Sequence, residues 1–464
     1  MAPEVLFVRP GPIDPLRPAD AAPEDGTAAN PFGTLAQAVR AARAGALIRL
    51  GQGVYREAVV VDKPLVMLGL GPGKTRLVAP PGTGAPIVLV QGGARVELRH
   101  LSIEDGVIGL AAIGGGARLQ DVALRNLTGV ALAGREAEMA FLDGEILRIG
   151  GGPLGGAVEI DGGSLEMRRS VLRDAGRRAI QVRGGRGLLD EVDASGSPVA
   201  ALQAIDGAEV AVVAGRFAEF GGAALYAGGA KLSVRGASIS RSEYAVIGFR
   251  GAELELKDVE ISDTRVAGVA FVRAQGFLEG CTLRRGGIEG AVAVTNSTGP
   301  VRLSNNRFLE PGRIGVHVTS GTVVAKDNTI SSARLDAEGD LGDGIYAVDA
   351  TLALQGNSLR GNAGSGVTVS RTRLELRDNL LTGNGRAGVV LLDRSTASAD
   401  RNVFDRNRGP GLQVAELSTA TLLGNRFGGN ALYQIDPGCD GAGKIDLRDG
   451  NTFLGPAAAR RTCP

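Results

Sequence analysis

Of the two histidines in this 464-residue chain, His317 stands where the residue types around it favour chemistry. In Gly315-Val-His-Val318 the valines alternate with it, so a strand that turns Val316 and Val318 inward turns His317 outward. The equivalent places in the next two similar segments hold Tyr346 and Thr368. Side by side, such segments set an imidazole and a phenol ~5 Å apart on one sheet face. That pair suits proton transfer at a uronic acid, or plain stacking on a sugar ring. With Arg313 just upstream, His317 and Tyr346 are the candidate catalytic residues. The insertion ARLDAEGDLGDGIYAVDA adds Asp336, Glu338, Asp340 and Asp343, which with Thr368 make the candidate ligand-binding set. Asp336, Asp340 and Asp343 are also candidate ligands for a cation such as Ca2+. They do not form an EF-hand, because Leu341-Gly342 follows Asp340 and no glutamate closes a twelve-residue loop. A solvated acidic loop beside ordinary surface residues is the competing reading. His100, at a corner without an evident partner, reads as structural.

These residues must be positioned by a repeat. A four-residue unit ending in an apolar residue begins at His100, Asp121, Asp143, Arg169, Glu191, Ala214, Gly236, Asp258, Gly280, Asn305, Asp327, Gly356, Asp378, Arg401, Gly424 and Gly450. Its sixteen copies have a modal spacing of 22 residues. A period-2 strand such as Leu374-Glu-Leu376 precedes the unit, and a shorter strand opening on glycine precedes that. Two or three strands of three to five residues per ~22-residue coil are too short for propeller blades or leucine-rich repeats. They predict an all-β, right-handed parallel β-helix of three sheets. The second position of the unit is asparagine at Asn306, Asn328, Asn357, Asn379, Asn402, Asn425 and Asn451, which predicts a ladder of stacked amides at one corner. Cys281 fills the same place one coil earlier and reads as a small apolar filler.

Seventy-two glycines among 44% apolar and 4% aromatic residues agree with many tight turns around thin aliphatic layers. A net charge of +1 gives no electrostatic pull toward nucleic acid or anionic lipid. No apolar run reaches the length of a transmembrane helix. Residues 1–12 lack a basic segment followed by a long apolar one, which leaves a cytosolic protein or a processed, exported form. Cys439 and Cys463 flank the last repeat, where a disulfide is expected, and this favours an extracellular or periplasmic location. The chain reads as one domain: a cap over 1–57, the β-helix over 58–455 and a tail over 456–464.

Within the cap, residues 34–44 predict an amphipathic helix, with Leu35, Ala38, Val39 and Ala42 on one face and Gly45 as its stop. The stretch DGTAANPFGTLAQAVRAARAGALIRLGQGVYREAVVVDKPLVMLGLG, residues 25–71, resembles the opening of pectate-lyase-like right-handed β-helix proteins. The shared features are Asp-Gly, Pro-Phe, a capping helix, a Gly-x-Tyr-x-Glu turn and a Gly-rich bend. The later coils, with their asparagine corner, resemble that family's repeats. The resemblance implies a groove along one lateral sheet where outward side chains meet a sugar polymer. It does not imply one activity. The Asn-Thr-Asp, Asp-Asp and Gly-His-Gly motifs of galacturonan hydrolases are missing, as is the Asp-Pro-His of alginate epimerases. Outward residues such as Ala111, Gln181 and Ala270 offer little chemistry.

The leading expectation is a bacterial, exported β-helix protein that presents a lateral face to a carbohydrate polymer. A polysaccharide lyase or hydrolase acting on uronic-acid-containing glycans is one alternative. A structural scaffold that docks a protein partner is another.

Overall fold

The computed structural model describes residues 3–10, 24–150, 156–439, 443–455 and 458–462. The chain divides into two compact units, Met1–Gly222 and Ala223–Pro464. Each is a parallel β-solenoid, and together they carry about 18 turns. The second unit shows the construction plainly. One coil runs through Val316–Thr319, Thr322–Lys326 and Thr329–Ser331, the next through Ile345–Val348, Thr351–Gln355 and Ser358–Arg360. Each strand pairs in parallel with its counterpart, giving three series of strands.

Alternation decides which side chains enter the core. Leu352 and Leu354 are buried, as are Leu374 and Leu376 in the next coil, while Glu375 between them is exposed. A one-residue slip would expose each apolar pair, so the pattern sets the register. The stack of like residues extends to the aromatics. Phe404 and Phe427 stack with centroids 4.5 Å apart, and Phe453 follows at 5.3 Å.

The corners explain the four-residue unit. Its first residue has positive φ in all sixteen copies, from 43° at Arg169 to 80° at Gly450. The left-handed bend lets the chain leave one sheet and enter the next, and Gly, Asn and Asp adopt it most cheaply. His100, Arg169, Glu191, Ala214 and Arg401 adopt it against preference, each at a cost of about 1–2 kcal/mol. Side chains standing on successive bends pair across coils: Arg169 grips Asp143 at 2.6 and 3.1 Å, and Arg401 grips Asp378 at 2.9 and 3.2 Å. His100 also has a partner that the sequence did not reveal, Asp121 at 2.7 Å.

Behind the bend run the amides. From Asn306 to Asn425, each main-chain N–H and each Nδ2 donates to Oδ1 of the next asparagine at 2.9–3.1 Å. The second Nδ2 proton goes to a main-chain carbonyl, such as Leu354 for Asn379. Every polar atom of these buried amides is thereby used. Cys281 receives the ladder's end, its N–H donating to Asn306 Oδ1 at 2.9 Å, and burial pushes its thiol up to about 11.

A second ladder follows five residues later in four of these coils. Asn362, Asn384 and Asn407 each donate twice to the next member, and Asn430 closes on Gln434 at 2.7 Å. The sequence signal was present as Asn-x4-Asn in four coils, but only one member of each pair was read. A third, shorter series of hydroxyls joins Thr372, Ser395 and Ser418 through main-chain N–H donors.

In the first unit, α1 spans Leu35–Ala41, shorter than the expected 34–44. Thr34 is the N-cap and forms a capping box with Gln37. Ala42 leaves helical geometry at ψ 137°, and the turn reverses through Gly45 at φ +83°. The Gly-x-Tyr-x-Glu turn has a physical role here. Glu57 accepts from the N–H groups of Leu35 and Ala36, both at 2.9 Å, and so satisfies donors that a helix start leaves open. Buried Tyr55 donates to the carbonyls of Val8 and Gly51, both at 3.1 Å. Burial raises its phenol far above the usual range.

Candidate functional site

His317, Tyr346 and Thr368 are consecutive register partners on one lateral sheet of the second unit. The outward column to which they belong reads Ile247, Ala270, Ala293, His317, Tyr346, Thr368 and Val390. The two rings meet edge to face, centroids 5.8 Å apart. Both are half-buried, and His317 Nε2 lies 3.5 Å from Thr319 Oγ1. Burial lowers the imidazole below its ordinary 6.5, Glu289 opposes that shift, and Arg313 adds to it. Above that range His317 is a neutral donor and acceptor.

The acidic insertion stands beside this face, and its carboxylates do not converge. Asp336 accepts from Arg313 at 2.9 Å and from the N–H of Asp340 at 2.7 Å. Asp340 pairs with Arg386 at 3.5 Å, and Glu338 is exposed. Asp343 is buried at 5% exposure, and its carboxylate accepts from the N–H of Ser365 at 2.5 Å. Burial raises its pKa above 3.8, against the hydrogen bonds from Ser365 and Thr368 and the charge of Arg386. In this geometry Asp336, Asp340 and Asp343 each serve a different protein partner. Among the described residues no three metal-ligating side chains form a group that could hold an ion. Arg313, a candidate catalytic residue, is held by Asp336, whose side chain is 10% exposed. Asp343 joins the face through Thr368, whereas Asp336 and Asp340 anchor the loop.

Upstream on the same column the floor is small and apolar. Ala267, Ala270 and Ala293 are buried, with Tyr244 and Ile247 packed against them. Ala270 is therefore part of a covered floor rather than bland surface.

The first unit has a cleft of its own, about 390 Å³, with Ala111 and Ala133 in its lining. Arg135, Asp161 and Arg183, successive register partners, lie along it beside Glu159 and Gln181. The sequence reading placed Ala111 and Gln181 outward but passed over Arg135, Glu159, Asp161 and Arg183. Strand alternation could have found them, since 133 and 135, 159 and 161, and 181 and 183 share an outward face. Residues 151–155 lie outside the described residues.

Cys439 is disulfide-bonded. Cys463, its expected partner, lies outside the described residues. No helix of the described chain is long and apolar enough to cross a membrane.

Residues 290–452 match the family model described as right handed beta helix region. No curated protein matches the chain. Among solved structures, it is similar to Vag8 in the cryo-EM structure of the Vag8–C1 inhibitor complex, with a TM-score of 0.50 and 16% identity over 90% of this chain and 98% of that one. Looser similarities reach the periplasmic alginate epimerase AlgG, with a TM-score of 0.40 and 10% identity over 70% and 81%. They also reach the catalytic domain of a GH87 α-1,3-glucanase, with a TM-score of 0.33 and 9% identity over 92% and 67%. At these identities the likeness concerns the fold alone. Parallel pairing coil upon coil, the stacked corners and the family match lead to one conclusion: the chain is a right-handed parallel β-helix protein.

Proposed function

We propose that the lateral face bearing His317, Tyr346 and Thr368 binds a carbohydrate polymer. The observation that carries this reading is the edge-to-face imidazole–phenol pair, half-buried and continuous with a small apolar floor. Sugar rings offer an apolar face to such aromatics and hydroxyls to their polar edges. A column repeating at ~4.8 Å per coil runs about 24 Å from Ile247 to Thr368, long enough for several sugar units. The test is affinity electrophoresis of the whole chain against a panel of neutral, acidic and amino polysaccharides. Retardation by at least one of them, lost in the His317→Ala/Tyr346→Ala double variant, is expected. Unaltered retardation in that variant would place the binding elsewhere.

A catalytic reading, polysaccharide lyase or hydrolase, is favoured by one specific feature. A neutral imidazole and a carboxyl biased toward its protonated form share the face, which suits a base and an acid. Release of unsaturated or reducing ends by the wild type, and not by His317→Ala, tests it.

The repeat supports three further readings. Equivalent positions are 22 residues apart in the most regular coils, as at Leu232, Leu254 and Gly276, and we take this as the native coil length. Helix α1, satisfied at its start by Glu57, acts as a cap over the opening strands within a 1–57 cap segment, followed by the β-helix over 58–455 and a tail over 456–464. The protein works outside the cytoplasm, where the Cys439 disulfide persists.

A further inference from the structure

Resting on the carbohydrate reading of the His317–Tyr346 face, we propose that its ligand is a glycan carrying free amino groups, not a polyuronate. The argument is the balance of charge around the column. Three arginines act on its groups: Arg313 on His317, Arg371 on Tyr346 and Arg386 on Asp343. All three are already engaged. Arg313 lies 2.9 Å from Asp336, Arg371 grips Asp349 at 2.7 and 3.0 Å, and Arg386 lies 3.5 Å from Asp340. His317 is uncharged near neutrality and supplies no further cation.

The acids are in excess. Glu289 and Glu338 make no ion pair among the described residues. Glu289 immediately precedes strand Gly290–Thr295, whose Ala293 is the register partner of His317. Its charge acts on His317 and, toward the other end of the column, on Tyr244. An exposed carboxylate with no ion pair among the described residues thus stands near His317 and Tyr244.

A polyuronate laid along this column would bring its carboxylates against Glu289 with no free guanidinium to receive them, a juxtaposition that selects against such a partner. An ammonium group finds the opposite. Glu289 offers a charge-assisted hydrogen bond, and the tyrosine faces attract a cation.

Isothermal titration of the whole chain at about pH 6, where amines are protonated, compares a glucosamine hexamer, its fully N-acetylated counterpart and a galacturonate hexamer. The glucosamine hexamer is expected to bind about tenfold tighter than the acetylated form, the scale of one hydrogen bond to a charged group. Glu289→Gln should erase most of that ratio without moving the thermal midpoint. Equal binding of the two glucosamine forms, or tighter binding of galacturonate, overturns the amino-glycan assignment. If His317→Ala/Tyr346→Ala abolishes that binding, the carbohydrate face itself still stands. Equal affinity for oligolysine of matched length overturns the glycan class and marks a surface for cationic peptides. Silence with all three hexamers overturns this proposal, and silence across the polysaccharide panel overturns the carbohydrate reading as well.

Discussion

His317 and Asp343 lie on one face and respond to pH in opposite directions. Burial holds the imidazole below 6.5, so on acidification the unfolded chain takes up that proton before the folded one does. The associated stability is whole above pH 6.5 and is lost as pH falls below it. Denaturant titrations at about pH 7.5 and 5.5 should show a drop that His317→Gln reduces. Asp343 carries the reverse linkage. Its carboxyl is raised by burial, so its penalty is absent below 3.8, grows as pH rises to the shifted value, and persists at neutrality. Asp343→Asn keeps an acceptor for the Ser365 N–H and is expected to stabilise the fold at neutral pH. An unchanged or lower denaturation midpoint would show that ionised Asp343 is not costly. At the corners, Ala214 sits at φ +58° for no benefit its side chain provides. Ala214→Gly should gain about 0.5–1 kcal/mol, the relief of left-handed strain less the added freedom of the unfolded chain. Equilibrium unfolding measures it.

The element that most distinguishes the second unit is the amide ladder. Removing one rung strands the main-chain N–H and one Nδ2 proton of the preceding asparagine and takes from Oδ1 of the next one of its two donors. Asn379→Ala should therefore cost about 1–3 kcal/mol, with Asn384→Ala in the second ladder in the same range. Unchanged unfolding midpoints in both variants would rule out a stabilising role. The first ladder was legible because seven asparagines share one place in the repeat. The second was overlooked because its members fall in loops between the counted strands. The corner bends were half legible: the unit's starting residue was located, but its backbone conformation was not inferred, because His, Arg and Glu occupy it alongside Gly and Asp.

Across the molecule, the family match falls on 290–452, the stretch where the ladders run. In the first unit the same corner holds Val122, Ser170 and Val192, which pack adequately yet leave no repeating polar signature. The disulfide at Cys439 is a further constraint at this scale. A bond to Cys463 closes a loop of 24 residues, so reduction should cost about 3 kcal/mol. Non-reducing peptide mass spectrometry identifies the pair, and calorimetry with and without reductant gives the loss.

Strand alternation and the repeating corner unit were sufficient to determine a parallel solenoid, because side-chain direction in a strand has period two and stacked coils must repeat their bends. The same logic, from sequence alone, puts His317, Tyr346 and Thr368 in one column. What alternation cannot carry is the reach of long side chains. Whether Asp336 and Asp340 meet a cation or an arginine depends on Arg313 and Arg386, which come from other coils. That Asp343 is buried while Glu338 is exposed depends on how the seven extra residues between Asp327 and Gly356 are accommodated beside the sheet. Those choices are made between coils by packing and charge, so only the tertiary structure decided them.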